Sequence, residues 1–267
     1  MSEPNEADEA DIESTTAPLL DHLVELRKRL IYSLLALAVG FAICFFFAKP
    51  IYAFLTEPLA QALKGRANDH LIYTAIYETF FTYVKVGLFA GLCLAFPVIA
   101  AQAWLFVAPG LYKHERNAFL PFLIASPVLF TAGAAFVFYV MLPFATRFFL
   151  GFQTQGGANT LGIQAQLKVS DWLDFVMTLI FAFGLTFQMP VALSLLGRVG
   201  IVSAAMLRKV RRYAIVGIFA LAAILTPPDL FSMISLALPL TALYEVSIWC
   251  VALIERQRAK DDAAREA

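Results

Sequence analysis

Four long stretches of this chain contain no Asp, Glu, Lys or Arg: Leu30–Ala48, Val86–Tyr112, Asn117–Thr146 and Phe175–Gly197. A helix needs about 20 apolar residues to cross roughly 30 Å of hydrocarbon. Every backbone N–H and C=O on the way must find its partner inside the protein. Each stretch therefore reads as a transmembrane helix. Two shorter ones follow, Tyr213–Pro228 and Leu230–Ile254, the second interrupted by Glu245. The expectation is an all-α polytopic membrane protein with six transmembrane helices. At 1.5 Å per residue the fifth covers only about 24 Å. Short fifth and sixth helices would thin the bilayer beside them, at a fraction of a kcal/mol per ångström.

Composition agrees: 60% of the residues are hydrophobic and only 15% charged, where a soluble domain carries about a quarter. The net charge of zero offers no basic surface for nucleic acid. Six spans place both termini on one side. That side holds 14 of the 20 Lys and Arg residues, the other five, and Lys85 sits at a helix start. The positive-inside rule puts the richer side, and both termini, in the cytoplasm. Residues 1–17 are rich in Asp and Glu and read as a disordered acidic tail, residues 18–254 as the membrane domain, and 255–267 as a charged cytoplasmic tail. Outer loops 49–75 and 147–173 are too small for cores of their own, and the first is apolar enough to form part of an extracytoplasmic cap. Cys44, Cys93 and Cys250 lie in apolar runs and read as small hydrophobes. The three histidines lack ligand spacing, so neither a metal nor another cofactor is expected. Pro97, Pro109, Pro121, Pro127, Pro143, Pro190 and Pro239 fall in or beside the spans and predict kinks and a curved, cup-like bundle.

Charge within so apolar a chain needs a reason. "PLLDHLVELRKRLI", Pro18–Ile31, has leucines at helical spacing and Asp21, Glu25 and Arg29 four apart on one face. Glu25 either pairs with Arg29 or Lys28 or receives a ligand. "FVAPGLYKHERN", Phe106–Asn117, is a cytoplasmic connector whose Lys113 and Arg116 satisfy orientation, whereas Glu115 is either their counter-ion or a second receiving carboxylate. Two carboxylates at one membrane face suit a cationic segment, and arginine above all, because its planar fork binds carboxylates through two bonds. Gln188 and Glu245, with Glu78 and Gln102, are polar groups in the spans. Such groups serve as interhelical glue or mark a pathway or partner contact. No nucleophile elbow, zinc-protease or phosphate-loop motif is present, which argues against an enzyme. A small-solute secondary transporter is the alternative, but it predicts an internal repeat and a midplane site.

"HLVELRKRL" (His22–Leu30), "FVAPGLYKHE" (Phe106–Glu115), "FGLTFQMP" (Phe183–Pro190) and "LTPPD" (Leu225–Asp229), in this order, resemble the TatC family, the receptor subunit of the twin-arginine protein translocase. The resemblance covers residues 18–254 and implies a cup-shaped receptor for signal peptides with consecutive arginines on folded cargo. It implies that Glu25, Arg27, Phe106 and Glu115 bind the signal peptide and that Pro58 and Asp229 are sensitive loop positions. It implies as partners the lipid bilayer, small single-span TatA- and TatB-type subunits and further copies of the chain. It also implies export across the bacterial inner membrane driven by the proton gradient. One departure stands out: Gln188 occupies a position where the family often has glutamate, and an amide cannot hold charge.

Overall fold

The computed structural model describes residues 6–64, 70–107, 116–154, 161–163, 165–225 and 230–266, and within these the fold is helical, with isolated β-bridges and no strand. Nine α-helices follow in order: α1 (Glu6–Phe46), α2 (Ala48–Leu63), α3 (Glu78–Val107), α4 (Arg116–Phe136), α5 (Leu142–Leu150), α6 (Val169–Thr186), α7 (Met189–Val199), α8 (Ala204–Leu225) and α9 (Leu230–Glu266). A π-helical turn, Val137–Met141, joins α4 to α5. The backbone of α1 is helical from Glu6.

Among the described residues, five helical segments are long and apolar enough to cross a membrane: His22–Phe46, Glu78–Phe106, Pro121–Leu150, Val169–Val199 and Met233–Lys260. The protein is thus a multi-pass membrane protein by length and composition. The segment expected as the fifth span lies in α8, which is helical but does not reach the standard of the other five. Arg208, Lys209, Arg211 and Arg212 occupy its opening turns, leaving too short an apolar remainder. The last helix departs from expectation in the opposite direction. Ahead of the charged run that starts at Glu255, residues 233–254 alone cover about 33 Å at the helical rise, so the helix is not short, and thinning beside it has no basis.

Proline breaks only some of the helices. Pro97 and Pro239 lie inside continuous α3 and α9, whereas Pro143 and Pro190 sit at the first positions of α5 and α7. The break before Pro190 has a local cause. Proline lacks an N–H, and the turn ahead of it tightens so that the Gln188 N–H bonds to Leu185 O at 2.9 Å. Gly184 O is released from its usual helical partner and is met by the Gln188 side-chain amide at 3.4 Å.

The main core gathers α2, the π-helical turn, α6, α8 and α9, with Leu173, Val176, Phe183, Leu236, Leu240 and Val251 buried. Leu55, Pro58 and Leu59 are buried on α2, and the Leu55 carbonyl accepts a 3.4 Å bond from Trp172 Nε1. Beside them the loop ends meet: Ile72 bonds to Leu167 and Val169 across a bridge with Lys168. Glu78 sits at the start of α3 and accepts from the backbone N–H groups of Thr74 at 2.8 Å and Ala75 at 3.3 Å, and Lys168 Nζ lies 3.6 Å away. It therefore acts as a loop clasp.

α1 stands apart from this core and packs chiefly against α3. At the crossing, a Cβ on Gly91 would lie 2.5 Å from Phe41 N, and one on Gly40 would lie 2.6 Å from Gly91 O. Gly87, four residues from Gly91, faces Phe45 at 3.0 Å. This is the small-residue spacing that brings membrane helices into backbone contact. Gly91→Val is expected to cost about 1–3 kcal/mol by overpacking, read as a lowered midpoint of thermal unfolding in detergent. Gly217→Ala, with open space around the new methyl, should leave the midpoint unchanged or raise it.

Candidate functional site

The antiparallel pairing of α1 with α3 carries His22, Glu25 and Arg29 to the C-terminal end of α3. His22 stacks on Phe106 with ring centroids 4.3 Å apart and 20° between planes. One turn further, Arg29 holds Glu25 through two contacts on a single carboxylate oxygen: Nε to Oε1 at 3.0 Å and Nη2 to Oε1 at 2.5 Å. Arg29 Nη1 also reaches Gln102 Oε1 on α3 at 3.4 Å. The pair is only partly shielded, with 21% of the Arg29 and 31% of the Glu25 side chain exposed. A carboxylate, an aromatic face and an amide thus converge at one end of two helices. Such a group can exchange one guanidinium for another and can offer a ring surface beside it.

Of the other predicted site residues, Arg27 is exposed. Two residues beyond Glu25 on a helix of 3.6 residues per turn, it points about 200° away. The structure does not bring it into this cluster. Glu115 and Asp229 lie outside the described residues. Pro58 is buried in the α2 packing described above, well away from this group.

Gln188 forms a second polar group, inside the membrane. The Ser126 hydroxyl on α4 donates to Gln188 Oε1. Gln188 Nε2 returns a bond to Ser126 O at 3.0 Å, and Trp104 Nε1 on α3 donates to Ser126 Oγ at 3.3 Å. Three helical segments are thereby tied through one buried serine. Glu245 on α9 forms a 2.5 Å ion pair with Arg211 on α8, while Tyr244 OH donates to Leu207 O at 2.8 Å. Glu255 accepts from the Ala204 N–H at 3.0 Å and so caps α8. Sequence reasoning named Gln188 and Glu245 but not these partners. It also missed the Lys85–Asp174 pair, 2.8 Å, between α3 and α6.

Comparison with known proteins places this geometry in a family. The model of the Sec-independent protein translocase protein (TatC) matches residues 21–239, a stretch that takes in both polar groups. The chain belongs to the TatC family. The TatC protein of Magnetococcus marinus is 49% identical over 251 residues, 94% of this chain and 90% of that relative. The TatC protein of Escherichia coli K12 is 41% identical over 236 residues, 88% of each chain. A crystal structure of the twin-arginine translocase receptor TatC superimposes with a TM-score of 0.74 at 37% identity, covering 88% of this chain and 99% of that one. The protein is therefore a translocase component of the Tat pathway, in keeping with its apolar helices.

The Ser126 network makes a prediction of its own. Ser126→Val takes the acceptor from the Trp104 N–H and the donor from Gln188 Oε1 while leaving the bond from Gln188 Nε2 to the backbone carbonyl of residue 126, at about 1–3 kcal/mol for a buried group left unpaired. Thermal unfolding in detergent should fall accordingly. An unchanged midpoint would show that the network does not hold these helices together.

Proposed function

We propose that this TatC protein is the receptor of its translocase and that it takes signal peptides with consecutive arginines at its cytoplasmic face. The observation that carries the reading is the meeting of Glu25 and Phe106 at one end of α1 and α3. Both belong to the sequence motifs that mark the family. Glu115 lies nine positions beyond Phe106 on the same connector and supplies the second carboxylate. Arg27, exposed on the other face of α1, contacts the signal peptide or its carrier from outside the pocket. Each carboxylate–guanidinium contact is worth about 1.5–3 kcal/mol, so two give roughly 10² to 10⁴ in affinity.

In this reading α8 is a sixth crossing, which places both termini in the cytoplasm of a bacterium with the protein in its inner membrane. Residues 18–254 form the working unit, flanked by the two charged tails. Pro58 and Asp229 shape the opposite, extracytoplasmic face. Small single-span subunits of the TatA and TatB types assemble on the membrane-embedded surface near Gln188 and Glu245, with further copies of the chain in the complex. The proton gradient drives export.

Two measurements test this. Photocrosslinking of a twin-arginine peptide to the full chain should fall roughly tenfold or more in Glu115→Ala, and equal crosslinking in a correctly inserted variant refutes the role of Glu115. Cysteines placed singly through residues 213–228 should report a protected stretch flanked by accessible ends on opposite sides of the membrane. Accessibility of both ends from one side would leave five crossings and opposed termini.

A further inference from the structure

In the structure the candidate receiving group is already engaged by the chain's own residues. Glu25 Oε1 takes both Arg29 contacts, and Gln102 steadies the same guanidinium from α3. The face of Phe106 is covered by His22. Arg29 is one helical turn from Glu25, so it presents the guanidinium fork that an incoming arginine would present. We propose that Arg29 is an internal stand-in for the signal arginine, holding the site closed until a stronger guanidinium donor displaces it. This inference rests on the receptor reading and adds a residue that sets its affinity and selectivity.

The geometry supports exchange over simple blockage. Both Arg29 contacts converge on Oε1, and among the described residues no contact to Glu25 Oε2 is present. A second guanidinium can therefore reach Oε2 before Arg29 leaves, and the carboxylate is never stripped of its counter-charge. That matters at a membrane face, where an unpaired, partly buried charge is costly. A lysine ammonium has one point of charge and no planar fork. It is the poorer competitor against an arginine already in place, so the stand-in sharpens discrimination between arginine and lysine pairs. His22, seven residues before Arg29 and so on the same face of α1, covers the ring that the incoming peptide would use.

A ligand that binds only the open state has its apparent affinity reduced by the fraction of protein that is open. Removing the stand-in raises that fraction. The test uses the full chain in lipid nanodiscs and two fluorescent peptides, one with consecutive arginines and one with lysines in their place. Arg29→Gln should bind the arginine peptide about three- to tenfold more tightly, and the lysine peptide should gain more, so that the preference narrows. Arg29→Lys, which keeps the orienting charge but not the fork, should shift both in the same direction by less. It decides the matter should the glutamine variant fail to insert. Glu25→Gln is the control for the underlying reading and should weaken the arginine peptide. Equal or weaker binding in the Arg29 variants, with Glu25→Gln also weakened, overturns the stand-in and leaves the receptor reading intact. Unchanged binding in Glu25→Gln overturns both.

Discussion

Backbone contact between Gly40 and Gly91 fixes the register of α1 against α3, and the polar end of those helices follows from it. Equal numbers of residues separate Gly40 from Arg29 and Gly91 from Gln102, so the antiparallel helices arrive at the guanidinium and the amide together. Beyond it His22 stacks on Phe106, three residues off that register, at the same end of the two helices. Side chains on α1 have little other help. Only 11% of its most apolar segment is buried, and among the described residues α3 is its chief helical partner. A methyl group at Gly91 would push the two backbones apart and would shift every contact beyond it.

Gln188, Glu245 and Lys85 find partners within the chain itself. The Gln188 amide meets a serine hydroxyl, a serine carbonyl and the glycine carbonyl that the nearby proline leaves open. Glu245 meets Arg211, and Lys85 meets Asp174. In hydrocarbon an unpaired group of either kind is expensive, so such pairs are the condition under which these residues can be there at all. Gln188 in this chain thus works as a connector of helices through neutral hydrogen bonds, a duty that an ionised carboxylate would perform differently.

Much of this was legible in the residues. The four longest uncharged runs became spans, and four short motifs pointed to the family that the comparisons confirm. The local pairing of Glu25 with Arg29 was visible from four-residue spacing as one of two readings, and the structure shows that pairing formed. What sequence could not supply is long-range partnership. Ser126 and Gln188, Arg211 and Glu245, and Lys85 and Asp174 are far apart along the chain, and no periodicity joins them. Proline was an unreliable guide to breaks, because Pro239 sits in an unbroken helix while Pro190 begins a new one. The α8 segment was harder still, since four cations at its start leave length and apolarity in conflict.

The sparse covering of α1 bears on how the protein is made. Synthesis delivers His22–Phe46 well before the residues of α3 exist, so this first span must wait in lipid without a companion. A mean hydropathy of 2.1 lets it do so, and leucine, valine and phenylalanine side chains that remain outward-facing in the finished protein already have their final surroundings. When α3 emerges, the two helices pair along a long crossing whose register the close approach of Gly40 and Gly91 sets. A principal partner acquired after α1 is already in lipid spares the ribosome-bound chain any need to shelter a half-built core.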